Sequence, residues 1–120
     1  MQPTIESRKV EKTWGYEIWL ANNREENYCG KILYIEPGHS SSMHFHAEKH
    51  ETFYILEGEL RIEMINTETT EQFWQHLHEG HTFVIDRFVP HQLSPVGDSP
   101  VKFIEISTFH KDEDSYRVWR

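Results

Sequence analysis

One cysteine, Cys29, stands among the 120 residues. An internal disulfide is therefore excluded, and a reducing compartment, the cytoplasm, is the expected setting. The lone thiol itself reads as a small buried hydrophobe. Basic residues are also scarce: 12 Lys and Arg against 20 Asp and Glu leave a net charge of −8. Such a chain lacks the basic face that nucleic-acid phosphates or an anionic membrane surface require, so neither is an expected partner. No apolar run approaches the ~20 residues of a bilayer-spanning helix. Residues 1–14, MQPTIESRKVEKTW, carry no apolar signal region. Repeats, low-complexity tracts and linkers are missing too, so one domain over residues 1–120 is expected. Helical patterning is confined to residues 113–118, and the charge run at 111–114 reads as a solvated loop.

What is present is a series of short runs rich in Val, Ile, Phe, Tyr, Trp and Thr, which favour strands. Strands are expected at 16–20, 30–35, Met43–His46, 52–56, Gln72–Leu77, Thr82–Ile85, 91–93 and 101–108, with polar turns at 22–27 and 66–71. Leu60, Ile62 and Met64 alternate with Glu59, Arg61 and Glu63, the pattern of a strand with one wet face. Many short strands between Gly, Pro, Asn and Asp turns indicate an all-β sandwich or barrel.

Nine histidines are unevenly placed in that pattern. Between Gly38 and Gly58 the chain reads GHSSSMHFHAEKHETFYILEG, setting His44, His46 and Glu51 at the spacing G-x5-H-x-H-x4-E-x6-G. Residues two apart on a strand share a face, so the imidazoles of His44 and His46 point the same way. Glu51 returns to them after a turn. A second segment, GHTFVIDRFVPH, runs from Gly80 to His91 and supplies a third imidazole. His44, His46, Glu51 and His91 together suit one divalent first-row transition metal, Mn, Fe, Co, Ni or Zn, better than Mg or Ca. Four protein ligands leave a coordination position open for a substrate oxygen.

These two segments resemble the two motifs of the cupin superfamily, the first at residues 38–58 and the second at 80–91. The first fits without a gap. In the second, usually G-x5-P-x-G-x2-H, Asp86 and Phe88 stand where Pro and Gly are usual, His91 keeps its place, and Pro95 stands for a following Asn. The resemblance implies a single-domain cupin, a double-stranded β-helix or jelly-roll β-barrel. Lys12-Thr13-Trp14-Gly15-Tyr16-Glu17 is similar to the (R/K)PWGxYE entry of the small mannose-6-phosphate isomerase-like (type II) cupins. Ile104-Glu105-Ile106 and the residues through Arg117 are similar to their IEV…EDDIVR ending. D-lyxose isomerase-like small cupins share the longer His-to-Glu loop. The guanylyltransferase domain that accompanies some relatives is absent, so no nucleotidyl transfer is implied.

The resemblance implies a metal-dependent aldose–ketose isomerase acting on a small molecule, a sugar or sugar phosphate. Its rivals are an Fe- or Ni-dependent dioxygenase-type cupin and a non-catalytic sugar- or small-ligand-binding cupin, since function lives in the site rather than the fold. Isomerisation needs a proton-transfer group beside the metal. Glu105 and Lys49 are the candidate catalytic residues, with His50 and Lys31 also weighed. Glu105 interrupts an apolar run and serves if it faces the barrel. Lys49 lies between two ligands, where a cation would lower its pKa, unless it points to water. Lys31 and Arg87 are the candidate substrate-binding residues, the alternatives being an edge-strand gatekeeper and an unliganded rim arginine. His76, His78 and His81 read as a polar outer face rather than a second metal site. Trp14, Tyr16, Trp19 and Trp74 read as core or interface. A homodimer pairing through residues 14–20 is expected.

Overall fold

Alternation of apolar and polar side chains builds two facing sheets. A computed structural model describes residues 4–119, and eleven strands lie in them. They are β1 (Arg8–Lys12), β2 (Gly15–Asn23), β3 (Tyr28–Ile35), β4 (Met43–His46), β5 (Glu51–Glu57), β6 (Leu60–Ile65), β7 (Gln72–Leu77), β8 (Thr82–Ile85), β9 (His91–Pro95), β10 (Val101–Ser107) and β11 (Ser115–Trp119). One sheet has the order β1-β2-β3-β10-β5-β8, the other β11-β4-β9-β6-β7, and every pairing is antiparallel. This is an all-β, single-domain cupin architecture. Among the described residues no helix is long and apolar enough to cross a membrane.

Strand β6 shows the logic: Leu60, Ile62 and Met64 are buried while Arg61, Glu63 and Ile65 are half-buried on the other side. The same alternation in β3, β5 and β10 turns Leu33, Ile35, Phe53, Ile55, Val101 and Phe103 inward to a shared core with Leu60, Ile62, Leu77 and Leu93. Burying one such side chain fully is worth about 1.5–3 kcal/mol. The interior is not apolar throughout, however. Cross-strand register sets Lys31 opposite Glu105 and Glu105 opposite Phe53, one layer away from Leu33, Phe103 and Ile55. One part of the interior is thus apolar, and the adjoining layers hold Glu17, Lys31, Lys49, Glu51 and Glu105, all buried.

Two expectations are corrected. Residues 113–118 form no α-helix: Asp112–Asp114 make one 3-10 turn and Ser115–Trp119 form β11. Tyr116, Val118 and Trp119 suit a strand, and β4 would otherwise present an open edge to water. The charge run is not a solvated loop either, because Asp114 is 2% exposed. β1 has no apolar alternation to announce it. It is exposed at every position but Val10 and joins the sheet through its ladder with β2. At the hairpin between β1 and β2, Gly15 has φ +152° and a side chain there would strike the Tyr34 carbonyl, so only glycine fits.

Candidate metal centre

His44 and His46 stand on β4, His91 opens β9, and His44 pairs directly with His91 across the two strands. Facing residues of an antiparallel pair share a face. One ring nitrogen from each of the three histidines therefore falls within 4.8 Å of the others. The Nδ1 atoms are occupied elsewhere: His44 Nδ1 lies 2.9 Å from the Ser42 carbonyl, His46 Nδ1 3.0 Å from that of Asp114, and His91 Nδ1 2.9 Å from that of Val89. A carbonyl oxygen only accepts, so each Nδ1 carries its proton and each Nε2 presents a lone pair. Backbone carbonyls orienting the far nitrogen are the usual outer support of metal-bound histidine. Burial lowers His44 to about 3 and His46 to about 4, so both rings are neutral at pH 7, the form a metal needs.

Glu51 lies beside the three histidines. Its Oε2 lies 3.2 Å from His91 Nε2 and 3.7 Å from His46 Nε2, and it is fully buried with no hydrogen-bond partner. An acceptor oxygen facing acceptor nitrogens is unfavourable unless a cation, proton or metal, lies between them. Three inward Nε2 lone pairs and an orphaned carboxylate oxygen are a donor set that fits a first-row divalent ion.

Beside this cluster is a buried charge network. Lys49 Nζ lies 3.2 Å from Glu51 Oε1, 3.0 Å from Glu105 Oε2 and 3.1 Å from His110 Nδ1. Burial opposes the ammonium, but Glu105 and Glu51 outweigh it and hold Lys49 above the usual lysine range. Burial raises Glu105, while burial lowers His110 to about 4. Glu51 stays well below the usual carboxylate range: burial opposes this, and the Lys49 ammonium 3.2 Å away is the largest influence against burial. On the strands next to Glu105, Lys31 Nζ lies 3.5 Å from Glu17 Oε1 and 4.4 Å from the Trp19 ring centroid, and Trp19 Nε1 donates to the same Glu17 oxygen.

These groups line one cavity of about 70 Å³ that includes His44, His46, Glu51, His91, Lys49 and Glu105. Glu105 thus faces the barrel, settling a point the sequence left open. Lys49 and Lys31 are inside as well. Arg87 is not brought to the cavity: it sits exposed with Nε donating to the Glu48 carbonyl. His50 is held by Asp86 at 3.1 Å, and His76 and His78 flank Glu59 on the surface. Trp14 lines the cavity and Trp74 is exposed. Sequence reasoning missed Glu17, His110 and Asp114. Glu17 was findable, since it alternates with the outward Tyr16 and Ile18. The Asp114 carboxylate accepts three backbone N–H groups, from Ala47, Glu48 and Lys49 at 2.9, 3.0 and 2.9 Å, and so shapes the loop between His46 and Glu51.

The second motif carries a cost. Phe88, standing where glycine is usual, has φ +68° and is 59% exposed. Its N–H donates to the His46 carbonyl at 2.8 Å, tying that turn to β4.

Two facing sheets around a buried cluster of three histidines that can hold a metal ion define the class: a cupin-type barrel with a candidate metal centre. The chain belongs to the cupin family, residues 31–107 matching its Cupin domain. No curated protein sequence matches it. Among solved structures it is similar to the capsular polysaccharide assembling protein CapF from Staphylococcus aureus, at 16% identity and TM-score 0.85, covering 98% of this chain and 33% of that one. It is also similar to Bacillus subtilis oxalate decarboxylase (17% identity, TM-score 0.81, 94% of this chain and 30% of that one). The Lactobacillus farciminis oxalate decarboxylase, in a formate complex, matches at 18% identity and TM-score 0.77, over 93% of this chain and 33% of that one. The chain therefore spans about a third of the length of these proteins. At such identities the likeness is one of fold.

Proposed function

We propose that this chain is a metal-dependent aldose–ketose isomerase of a sugar or sugar phosphate, with His44, His46, Glu51 and His91 as ligands. The observation that carries the reading is one cavity in which the inward Nε2 atoms and the orphaned Glu51 oxygen lie beside the Lys49–Glu105 pair. A divalent ion bound there supplies Lewis-acid polarisation of a substrate oxygen. In this reading Glu105, which lines the cavity, takes up and returns a proton between adjacent carbons, and Lys49, its Nζ shared among Glu51, Glu105 and His110, orients it and balances its charge. Glu17 and Lys31, on the strands beside Glu105, add charged groups that substrate hydroxyls can bond. The Mn(II) centres named for the Bacillus subtilis oxalate decarboxylase, which is 20% identical to this chain, support manganese as one of the ions to load.

A homodimer belongs to the same reading. Ile18, Ile32, Ile104 and Tyr54 stand in one cross-strand row on the outer face of the first sheet, an apolar surface for a second copy. The single buried thiol suits the cytoplasm. The test is metal analysis followed by NMR of aldoses, ketoses and their phosphates in D2O. Deuterium at the carbon next to the carbonyl is expected. Oxygen consumption with no exchange identifies the dioxygenase, and binding with neither identifies a non-catalytic cupin. Light scattering that finds a monomer at micromolar concentration refutes the dimer.

A further inference from the structure

The 70 Å³ cavity is too small for a whole sugar, and it opens onto a larger cleft of about 530 Å³ that shares Trp14, Glu17, Ser41 and His44 with it. The walls of this cleft are rich in donors. Arg117 is the cross-strand partner of His44, so its guanidinium rises on the same face of the sheet as the candidate ligand. Ser115, the partner of His46, lies on that face too. Opposite them the hairpin between β1 and β2 brings Lys12 and Thr13, and the segment before β4 brings Ser40 and Ser42.

Charge decides what such a cleft holds. Its two carboxylates are already matched: Glu17 by Lys31 at 3.5 Å and Glu11 by Lys9 at 3.4 Å. Lys12 and Arg117 have no carboxylate within ion-pair distance among the described residues. The cleft is thus a cationic spot on a chain whose net charge is −8. An isolated positive site in a negative field concentrates anions where the rest of the surface repels them. Arginine adds a planar fork that matches two oxygens of one anion, and the hydroxyls beside it can serve a third.

We infer that this cleft is an anion subsite, in which Lys12 and Arg117 grip the phosphate or carboxylate of a small molecule whose reacting end enters the metal cavity. The inference rests on the reading of that cavity as the reaction site and narrows its substrate to an acidic one. Neutral sugars leave Lys12 and Arg117 unmatched.

The experiment is a titration of the 15N-labelled, zinc-loaded protein with inorganic phosphate and, separately, with acetate, followed by amide shifts at low salt. Saturable shifts at Lys12, Thr13, Ser42, Ser115 and Arg117 are expected, weakening as salt is raised. Arg117→Met is expected to weaken binding at least tenfold and Arg117→Lys to restore part of it. Arg117 is exposed, and retained spectral dispersion checks the fold. Tighter phosphate identifies a phosphate ester, tighter acetate a carboxylate. Shifts in neither titration, or equal affinity in Arg117→Met, overturn the subsite. His44→Ala, which lacks a candidate ligand, is expected to keep the anion shifts. Absence of exchange chemistry in the metal-loaded wild-type protein, with those shifts intact, therefore counts against the isomerase alone.

Discussion

Asp114 offers a direct measure of how the loop between the ligands is held. Its carboxylate is 2% exposed and accepts backbone N–H groups from Ala47, Glu48 and Lys49. In Asp114→Ala all three donors lose their partner in a place water reaches poorly. A hydrogen bond to a charged group contributes about 1.5–3 kcal/mol net, and an orphaned buried donor costs about 1–3 kcal/mol. Three donors at the lower end give about 4 kcal/mol, a large part of the 5–15 kcal/mol typical of a domain. Asp114→Asn keeps one carbonyl oxygen for Ala47 and Glu48 but sets an NH2 against the Lys49 N–H, so about 2 kcal/mol is expected. The same loop carries the chain from His46 to Glu51, and loosening it should weaken metal binding about 10- to 100-fold, as loss of outer support does elsewhere. Urea unfolding of the metal-free variants at pH 7 gives the first number, and competition with a chromophoric chelator gives the second. Asp114→Ala within 1 kcal/mol of wild type, with unchanged metal affinity, would show that this carboxylate does not organise the site.

Two further outcomes follow from the same geometry. His44, His46 and His110 have folded values of about 3, 4 and 4, below their ordinary 6.5, so the unfolded chain takes up protons first as the solution is acidified. Their contribution is whole above pH 6.5 and is lost progressively toward pH 4, at about 1 kcal/mol per histidine by pH 5.5. A urea midpoint of the metal-free protein that stays flat from pH 7 to 5 would refute neutral buried rings. Phe88→Gly should raise stability by about 1 kcal/mol, since it relieves a left-handed backbone and gives up an exposed side chain. A fall in thermal midpoint would mean that the contact of Phe88 with Phe45, ring centroids 6.5 Å apart, outweighs the strain.

The histidine pair was legible because it is local. His44 and His46 are two apart on one strand, and the strand period alone puts them on one face. The alternation of Leu60, Ile62 and Met64 likewise announces both a strand and its buried side. Lys49 was not legible in the same way. In sequence it is a lysine in a polar loop, and Glu105, 56 positions on, joins Glu51 in making its burial tolerable. Asp114 sits in an acidic run that reads as solvated, and its three donors come from a loop 65–67 residues earlier. β11 depends on an open edge of β4 that local propensity does not reveal.

By itself, then, the sequence determined the all-β architecture and the histidine pair on a common face, because both follow from a two-residue period. Tertiary structure decided which charges are buried, which carboxylate is left without a partner, and that Arg117 rises beside His44. Those depend on register between strands distant in the chain, where the energy of a buried charge is set by its neighbours in space.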